Sequence, residues 1–438
     1  MSKRILIVSY YFPPLGGVGV FRALKLARHL PDLGWDTHVL TLEPPQYYCI
    51  DHTLLDQIPS GVKVHRSESL DPFRLYRRIK GGELASVEDA TASDPLFGAL
   101  TRFAKSVNTW LFVPDNKVGW RGPAAKLGTR VVRENAIDLV YTINVPQTSH
   151  LIGRDIQKRT GASWVADFRD AWTANPDLVP PTPFHKARQT ALERDVLERA
   201  DAVTAVNDTI RDLLADALGH DRAKFLTVHN GFDPDDFGTN DGAVKRDSRF
   251  TMVFVGTFHK RTDPRLLLRP YAEAIRSGRI EPGKSRIVVV GAQSARTREA
   301  VHELGLGDHV DFTGFHAHRA SVRWMESADL LLQVIAEGPG AEQIVSGKLY
   351  EYLAAGRPVL TIGPAGEART LVDRLRVGAH ASVGDPAAIE SALVSLADAH
   401  RAGGIPYVPD TAAIAALSFP EQTALLSSHF DRILAEKR

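Results

Sequence analysis

Short unbroken apolar runs alternate along this chain with longer stretches of helical periodicity. Residues 5–8, Ile-Leu-Ile-Val, predict a buried strand. A helix follows with Val20, Leu24, Ala27 and Leu30 on one face, and Gly34 after its end. Further strands are predicted over 38–42, 62–66, 138–143 and 163–166. The same rhythm restarts at 250–255 and continues through 286–290, 310–314, 330–335 and 358–360. Helices are predicted over 186–199, 386–397 and from 420 onward. Strands of this kind, separated by helices, predict two doubly wound parallel sheets. Residues 234–248, rich in Asp, Gly and Asn, read as a linker between the two halves.

Length agrees with that division, since 438 residues exceed one ordinary domain. With 44% hydrophobic and 24% charged residues the composition is that of a globular protein. A formal charge of +1 supplies no general attraction to nucleic acid, so no nucleic-acid partner is expected. One cysteine, Cys49, excludes an intramolecular disulfide and suits a reducing cytoplasm. The apolar run 5–8 is too short for a signal peptide, and no stretch approaches a membrane span of ~18–20 residues. Residues 72–117 are unusual. They mix aromatic and basic groups over 73–80, then place Leu96, Leu100, Phe103, Val107 and Trp110 on one helical face. Two readings stand: a helix packed on the domain core, or a peripheral contact with the inner face of a membrane or a lipid-linked acceptor.

The most informative stretch is 343–360. Ser346 can cap a helix beginning at Gly347, with Leu349, Tyr352 and Leu353 as its apolar stripe and Gly356 at its end. Backbone N–H groups at such a start can hold phosphate oxygens, and Lys348 adds a full charge beside them. Glu351 lies one turn further in, where a carboxylate can accept both hydroxyls of a ribose. One short segment thus offers both the diphosphate and the ribose contacts of a nucleotide. A dinucleotide fingerprint over Gly17-Val-Gly19 is rejected. Six residues separate Ser9 from Gly16, and Arg22 stands at the third glycine position.

The 343–360 segment resembles the donor site of the retaining group 1 (family 4) glycosyltransferases, whose pattern is Glu, seven residues, Glu, before an Ala-Gly-x-Pro turn. Glu351 matches the second Glu; Gln343 stands at the first, with Glu342 beside it. The resemblance extends from Gly16-Gly17 to Pro358 and implies a GT-B fold: two Rossmann-like domains facing across a cleft. The implied boundaries are 1–233 for the acceptor-side domain, 249–419 for the donor domain and 420–438 for a helix crossing back. It implies that Lys260 and Arg261 bind the diphosphate, although Thr257 replaces the family's Arg directly after Gly256. It further implies Gln343 as a donor-sugar contact, Gly16 and Gly17 as close backbone approaches, and Phe315 near the base. At the end of the 163–166 strand stands Asp167-Phe-Arg169-Asp170-Ala-Trp172, a cluster suited to a site more than to a core. There Arg169 occupies the family's usual His position, and His150 is a candidate substitute with a structural reading beside it. Asp233-Pro-Asp235 resembles a metal motif but reads as turn chemistry, and neither a metal nor a cofactor is implied.

The expected function is retaining transfer of a sugar from a nucleotide-diphosphate donor to a hydroxyl of a glycan, lipid-linked or small-molecule acceptor. Cell-envelope or exopolysaccharide synthesis in the cytoplasm is the expected setting. A sugar-nucleotide 2-epimerase and a non-catalytic sugar-nucleotide binder are the alternatives.

Overall fold

The computed structural model describes residues 3–43, 50–70, 110, 112–176, 178–219, 222–238, 244, 248–258 and 262–437. Cys49, Lys260, Arg261, the aromatic-basic stretch 73–80 and the apolar face from Leu96 to Val107 lie outside these. The chain forms two compact units, Met1–His229 with Gln422–Arg438, and Asn230–Glu421.

The first unit is built on seven parallel strands in the order β3-β2-β1-β4-β5-β6-β7. In chain order these are β1 (Lys3–Val8), β2 (Trp35–Leu42), β3 (Lys63–Ser67), β4 (Leu139–Ile143), β5 (Ser163–Phe168), β6 (Ala202–Ala205) and β7 (Phe225–Thr227). Its helices are α1 (Phe21–His29), α2 (Arg121–Glu134), α3 (Thr148–Thr160), α4 (Pro183–Arg199) and α5 (Asp208–Leu218). Strand β1 shows why its sequence is apolar throughout. Leu6 and Val8 enter one core layer, Ile5 and Ile7 the layer on the opposite face. A parallel strand covered on both sides has no solvent face for polar residues.

The second unit holds six parallel strands in the order β10-β9-β8-β11-β12-β13. They are β8 (Phe250–Val255), β9 (Ser285–Val290), β10 (Val310–Gly314), β11 (Leu330–Val334), β12 (Val359–Gly363) and β13 (Gly378–Ser382). Helices α6 (Arg265–Arg276), α7 (Ala295–Glu303), α8 (His318–Ser327), α9 (Gly347–Ala354), α10 (Glu367–Leu375), α11 (Pro386–Arg401) and α12 (Thr411–Ala415) complete it. Strand β13, Gly-Ala-His-Ala-Ser, carries no bulky apolar residue and is invisible to hydrophobic patterning. Among the described residues it pairs only with β12, and a Cβ on Gly378 would stand 1.9 Å from the Val359 carbonyl oxygen. Glycine there is a condition of the close strand approach.

The last helix, α13 (Phe419–Glu436), runs from the second unit into the first. Leu426, Phe430 and Ile433 are buried in the layer that holds Ile5 and Ile7. The Trp35 indole N–H donates to Ser427 Oγ at 2.9 Å, and its ring meets Phe430 edge-on at 5.6 Å. Among the described residues no helix is long and apolar enough to cross a membrane.

Candidate functional site

In an open parallel sheet, ligands bind beyond the carboxyl ends of the strands where the strand order reverses. In the second unit that point lies between β8 and β11. Here Gly256 follows β8 and Gly291 follows β9, and the two are packed together. A Cβ on Gly291 would sit 2.6 Å from the Gly256 carbonyl oxygen, and both glycines have φ of 140°. With no side chain on Gly256, the Lys348 side chain lies across it; a Cβ there would be 3.4 Å from Lys348 Cε.

Helix α9 brings Lys348 to this place. Ser346 caps the helix, its Oγ accepting from the Lys348 N–H at 3.3 Å. Leu349, Tyr352 and Leu353 are buried beneath it. The Tyr352 hydroxyl accepts from Val255 N at 2.9 Å and donates to the Leu332 carbonyl at 3.2 Å, so it pins α9 to both strands flanking the reversal. Burial pushes the Tyr352 phenol up, which keeps it a neutral donor. Lys348 forms no ion pair among the described residues. Free N–H groups at a helix start and a cation beside them are groups that can hold phosphate oxygens.

Glu351 stands one turn into α9, part-buried. Its Oε1 lies 2.9 Å from Nε2 of His318, the first residue of α8. Phe315, just before that helix, is 82% exposed, an open ring beside the end of β10. Gln343 is buried in the loop before α9, while Glu342 beside it faces solvent. Of the two residues at the family's first Glu position, the neutral amide is thus the one held inside.

The first unit carries a second group at its own strand ends. Gly16 and Gly17 lead into α1, Gly17 with φ of 90° and open space around it. Arg169 donates from Nη1 to the Gly19 carbonyl at 3.0 Å, and its backbone N–H donates to Asn144 Oδ1 at 2.6 Å. The glycine loop and the segment after β5 are thereby joined. Asp170 is exposed.

Three acceptor-side candidates lie in the interior of the unit, which for His150 agrees with its structural reading. Asp167, His150 and Trp172 are each 0% exposed. Asp167 lies within β5, gripped by Arg22 and by the Thr204 hydroxyl at 2.6 Å. Trp172 donates from its indole N–H to Gln189 Oε1 at 2.8 Å inside the core. His150 packs on Phe168 with ring centroids 4.5 Å apart and its Nδ1 2.8 Å from Thr142 Oγ1. Burial pushes the His150 imidazole down to about 3, so it is neutral at ordinary pH. The view that this cluster is unsuited to a core therefore fails for Asp167 and Trp172. Each polar group found a buried partner, which sequence position alone does not reveal. His318 and Arg22 were the residues sequence reading overlooked; their partners are 33 and 145 positions away.

Residues 16–231 match the glycosyl transferase 4-like domain, and residues 249–399 match the glycosyl transferases group 1 model. The chain belongs to the group 1 glycosyltransferases of the GT-B fold, its two parallel sheets being those of that architecture. Over 186 residues it is 30% identical to the 2-deoxystreptamine glucosyltransferase of Streptomyces kanamyceticus, a match covering 40% of this chain and 46% of that protein. The chain spans about half the length of the curated relatives it matches. In fold it is similar to sucrose-phosphate synthase of Thermosynechococcus elongatus, with a TM-score of 0.67, 14% identity, and 99% of this chain and 100% of that one covered. HepE of Anabaena in complex with UDP is likewise similar, with a TM-score of 0.59, 16% identity, and coverage of 99% and 98%.

Proposed function

We propose that this protein transfers a sugar from a nucleoside-diphosphate donor to an acceptor hydroxyl with retention of anomeric configuration. The observation that carries this reading is Lys348 lying over Gly256 at the capped start of α9, with the Glu351 carboxylate one turn further in. A diphosphate on Lys348 and the first turn of α9 directs the adjoining ribose toward Glu351. Phe315 offers its exposed ring to the base. Lys260 and Arg261, a few residues beyond β8 in the sequence, add charge for the leaving diphosphate, and Gln343 contacts the donor sugar.

In the reaction the bond from the anomeric carbon to the phosphate oxygen breaks, and a bond to the acceptor oxygen forms on the same face. The departing phosphate oxygen takes the acceptor's proton. Cations at that phosphate stabilise charge where it develops. Arg169 and Asp170 serve the reacting centre from the acceptor side, the Gly16-Gly17 backbone approaches the donor phosphates and the acceptor, and Asp167 holds that region from within. The acceptor is a hydroxyl of a glycan, lipid-linked or small-molecule compound, and the product is a cell-envelope or exopolysaccharide component.

A thermal-shift screen of UDP-, GDP-, ADP- and dTDP-sugars tests the donor site, because a bound ligand raises the melting temperature by mass action. Glu351→Ala abolishes the shift and Asp170→Ala preserves it. Equal shifts in the parent and both variants refute the assignment. Incubation with labelled donor then separates transfer to an acceptor from epimerisation of the donor.

A further inference from the structure

We infer that His318 is a positioning residue that sets the Glu351 carboxylate for the 2′- and 3′-hydroxyls of a ribose, and so gives this protein its discrimination against 2′-deoxynucleotides. The inference rests on the reading of Glu351 as the ribose contact and deepens it.

The geometry begins with α8. Ala317 precedes this helix in extended conformation, and His318 is its first residue. The imidazole reaches across to α9, where Nε2 stands 2.9 Å from Glu351 Oε1. Its other nitrogen, Nδ1, is 3.9 Å from Asp236 Oδ2. An ionised carboxylate only accepts hydrogen bonds, so Nε2 carries the proton in this contact. The ring is thus set between two carboxylates and engages one of them directly.

Exposure bears on what the contact does. The His318 and Glu351 side chains are 33% and 23% exposed, and ion pairs this open to solvent add little stability. Their position is more telling. A Glu side chain turns about three torsions, and an unrestrained one loses that freedom when it binds a ligand. His318 holds Oε1 before any ligand arrives, fixing the carboxylate plane and leaving Oε2 and the remaining lone pairs of Oε1 as acceptors. Preorganisation of this kind strengthens binding without adding a contact. Phe315 lies on the same connection, three residues before His318. One short stretch after β10 therefore carries both the exposed ring and the group that aims the ribose-binding carboxylate.

The test is calorimetric. Dissociation constants of UDP, GDP and ADP and of their 2′-deoxy counterparts are measured for the parent protein, His318→Ala, His318→Gln and Glu351→Ala. The parent is expected to favour its preferred ribonucleotide by at least about tenfold, the scale of one hydrogen bond to a charged group. His318→Ala brings that ratio close to one through weaker ribonucleotide binding, with deoxynucleotide binding little changed. His318→Gln, whose amide N–H can replace Nε2–H, retains most of the ratio. A His318→Ala protein with the full parental ratio overturns the inference. So does one that loses both ligands equally, which is the mark of a merely structural role. If Glu351→Ala also keeps the parental ratio, the ribose reading itself falls. If Glu351→Ala abolishes the ratio and His318→Ala does not, only the role of His318 falls.

Discussion

Arg22 and Asp167 form a two-pronged ion pair inside the first unit, with Nε to Oδ2 at 2.6 Å and Nη2 to Oδ1 at 2.7 Å. Neither side chain is more than 4% exposed. Arg22 also donates to the carbonyls of Val228 and His229, at 3.0 and 3.1 Å. The start of α1, the end of β5 and the segment after β7 thus meet on one guanidinium. Its fork is suited to bidentate contact in a way a lysine is not.

Removing one partner strands the other as a buried charge. Arg22→Met or Asp167→Leu alone is expected to destabilise the protein by about 3–5 kcal/mol, and the double replacement by much less than the sum. Urea unfolding of the three variants measures this. An additive double variant would show that the two residues do not act as a pair.

His150 makes stability depend on pH. An unfolded histidine takes up its proton near pH 6.5, whereas burial holds the folded one to about 3. Between these values the unfolded chain carries more protons, so stability falls as pH drops through the window and is fully present above it. One such site contributes a slope of up to about 1.4 kcal/mol per pH unit. His429, held down to about 4 by burial with Arg432 nearby, adds a second site of the same sign. The unfolding free energy of His150→Asn, followed from pH 7.5 to 4.5, should therefore decline less steeply than that of the parent. Identical slopes would show that His150 takes up its proton equally in the folded and unfolded states.

Lys348 is expected to act on phosphate alone. Lys348→Ala should weaken binding of a nucleoside diphosphate by about 10- to 100-fold, the range of a charge-assisted hydrogen bond, and leave the free nucleoside unaffected. Competition binding with both ligands separates these outcomes. Equal losses for both would place the lysine away from the diphosphate.

Tyr352→Phe removes one hydroxyl that serves two backbone groups, Val255 N–H and the Leu332 carbonyl. Loss of those bonds in a buried place should cost about 1–3 kcal/mol and loosen the seat of α9. Chemical denaturation reports the first effect, and a weakened thermal shift by the donor reports the second. No change in either would mean that water takes over both bonds.

Much of this fold is legible in the chain. Residues 250–255 are a strand to the residue, an apolar run bounded by Arg249 and Gly256. Ser346 before Gly347 was readable as a cap because its hydroxyl acts within its own turn. β13 was hidden, since it lacks the apolar residues that periodicity depends on. Asp167 and Trp172 stand in a cluster that residue type alone sets against a core, yet both are buried, because residue type shows what a side chain would cost to bury and not whether a partner waits inside.

By itself, the sequence determined two doubly wound halves and a capped helix start with Lys348 in its first turn and a carboxylate one turn beyond it. These follow from local rules: apolar runs that must be covered on both faces, and a cap that acts over a few residues. Only the tertiary structure decided that Glu351 would be held by His318 and Asp167 by Arg22. Parallel strands are joined by long crossovers, so groups that meet at strand ends come from distant parts of the chain. Whether a charge is left bare or paired there depends on that meeting.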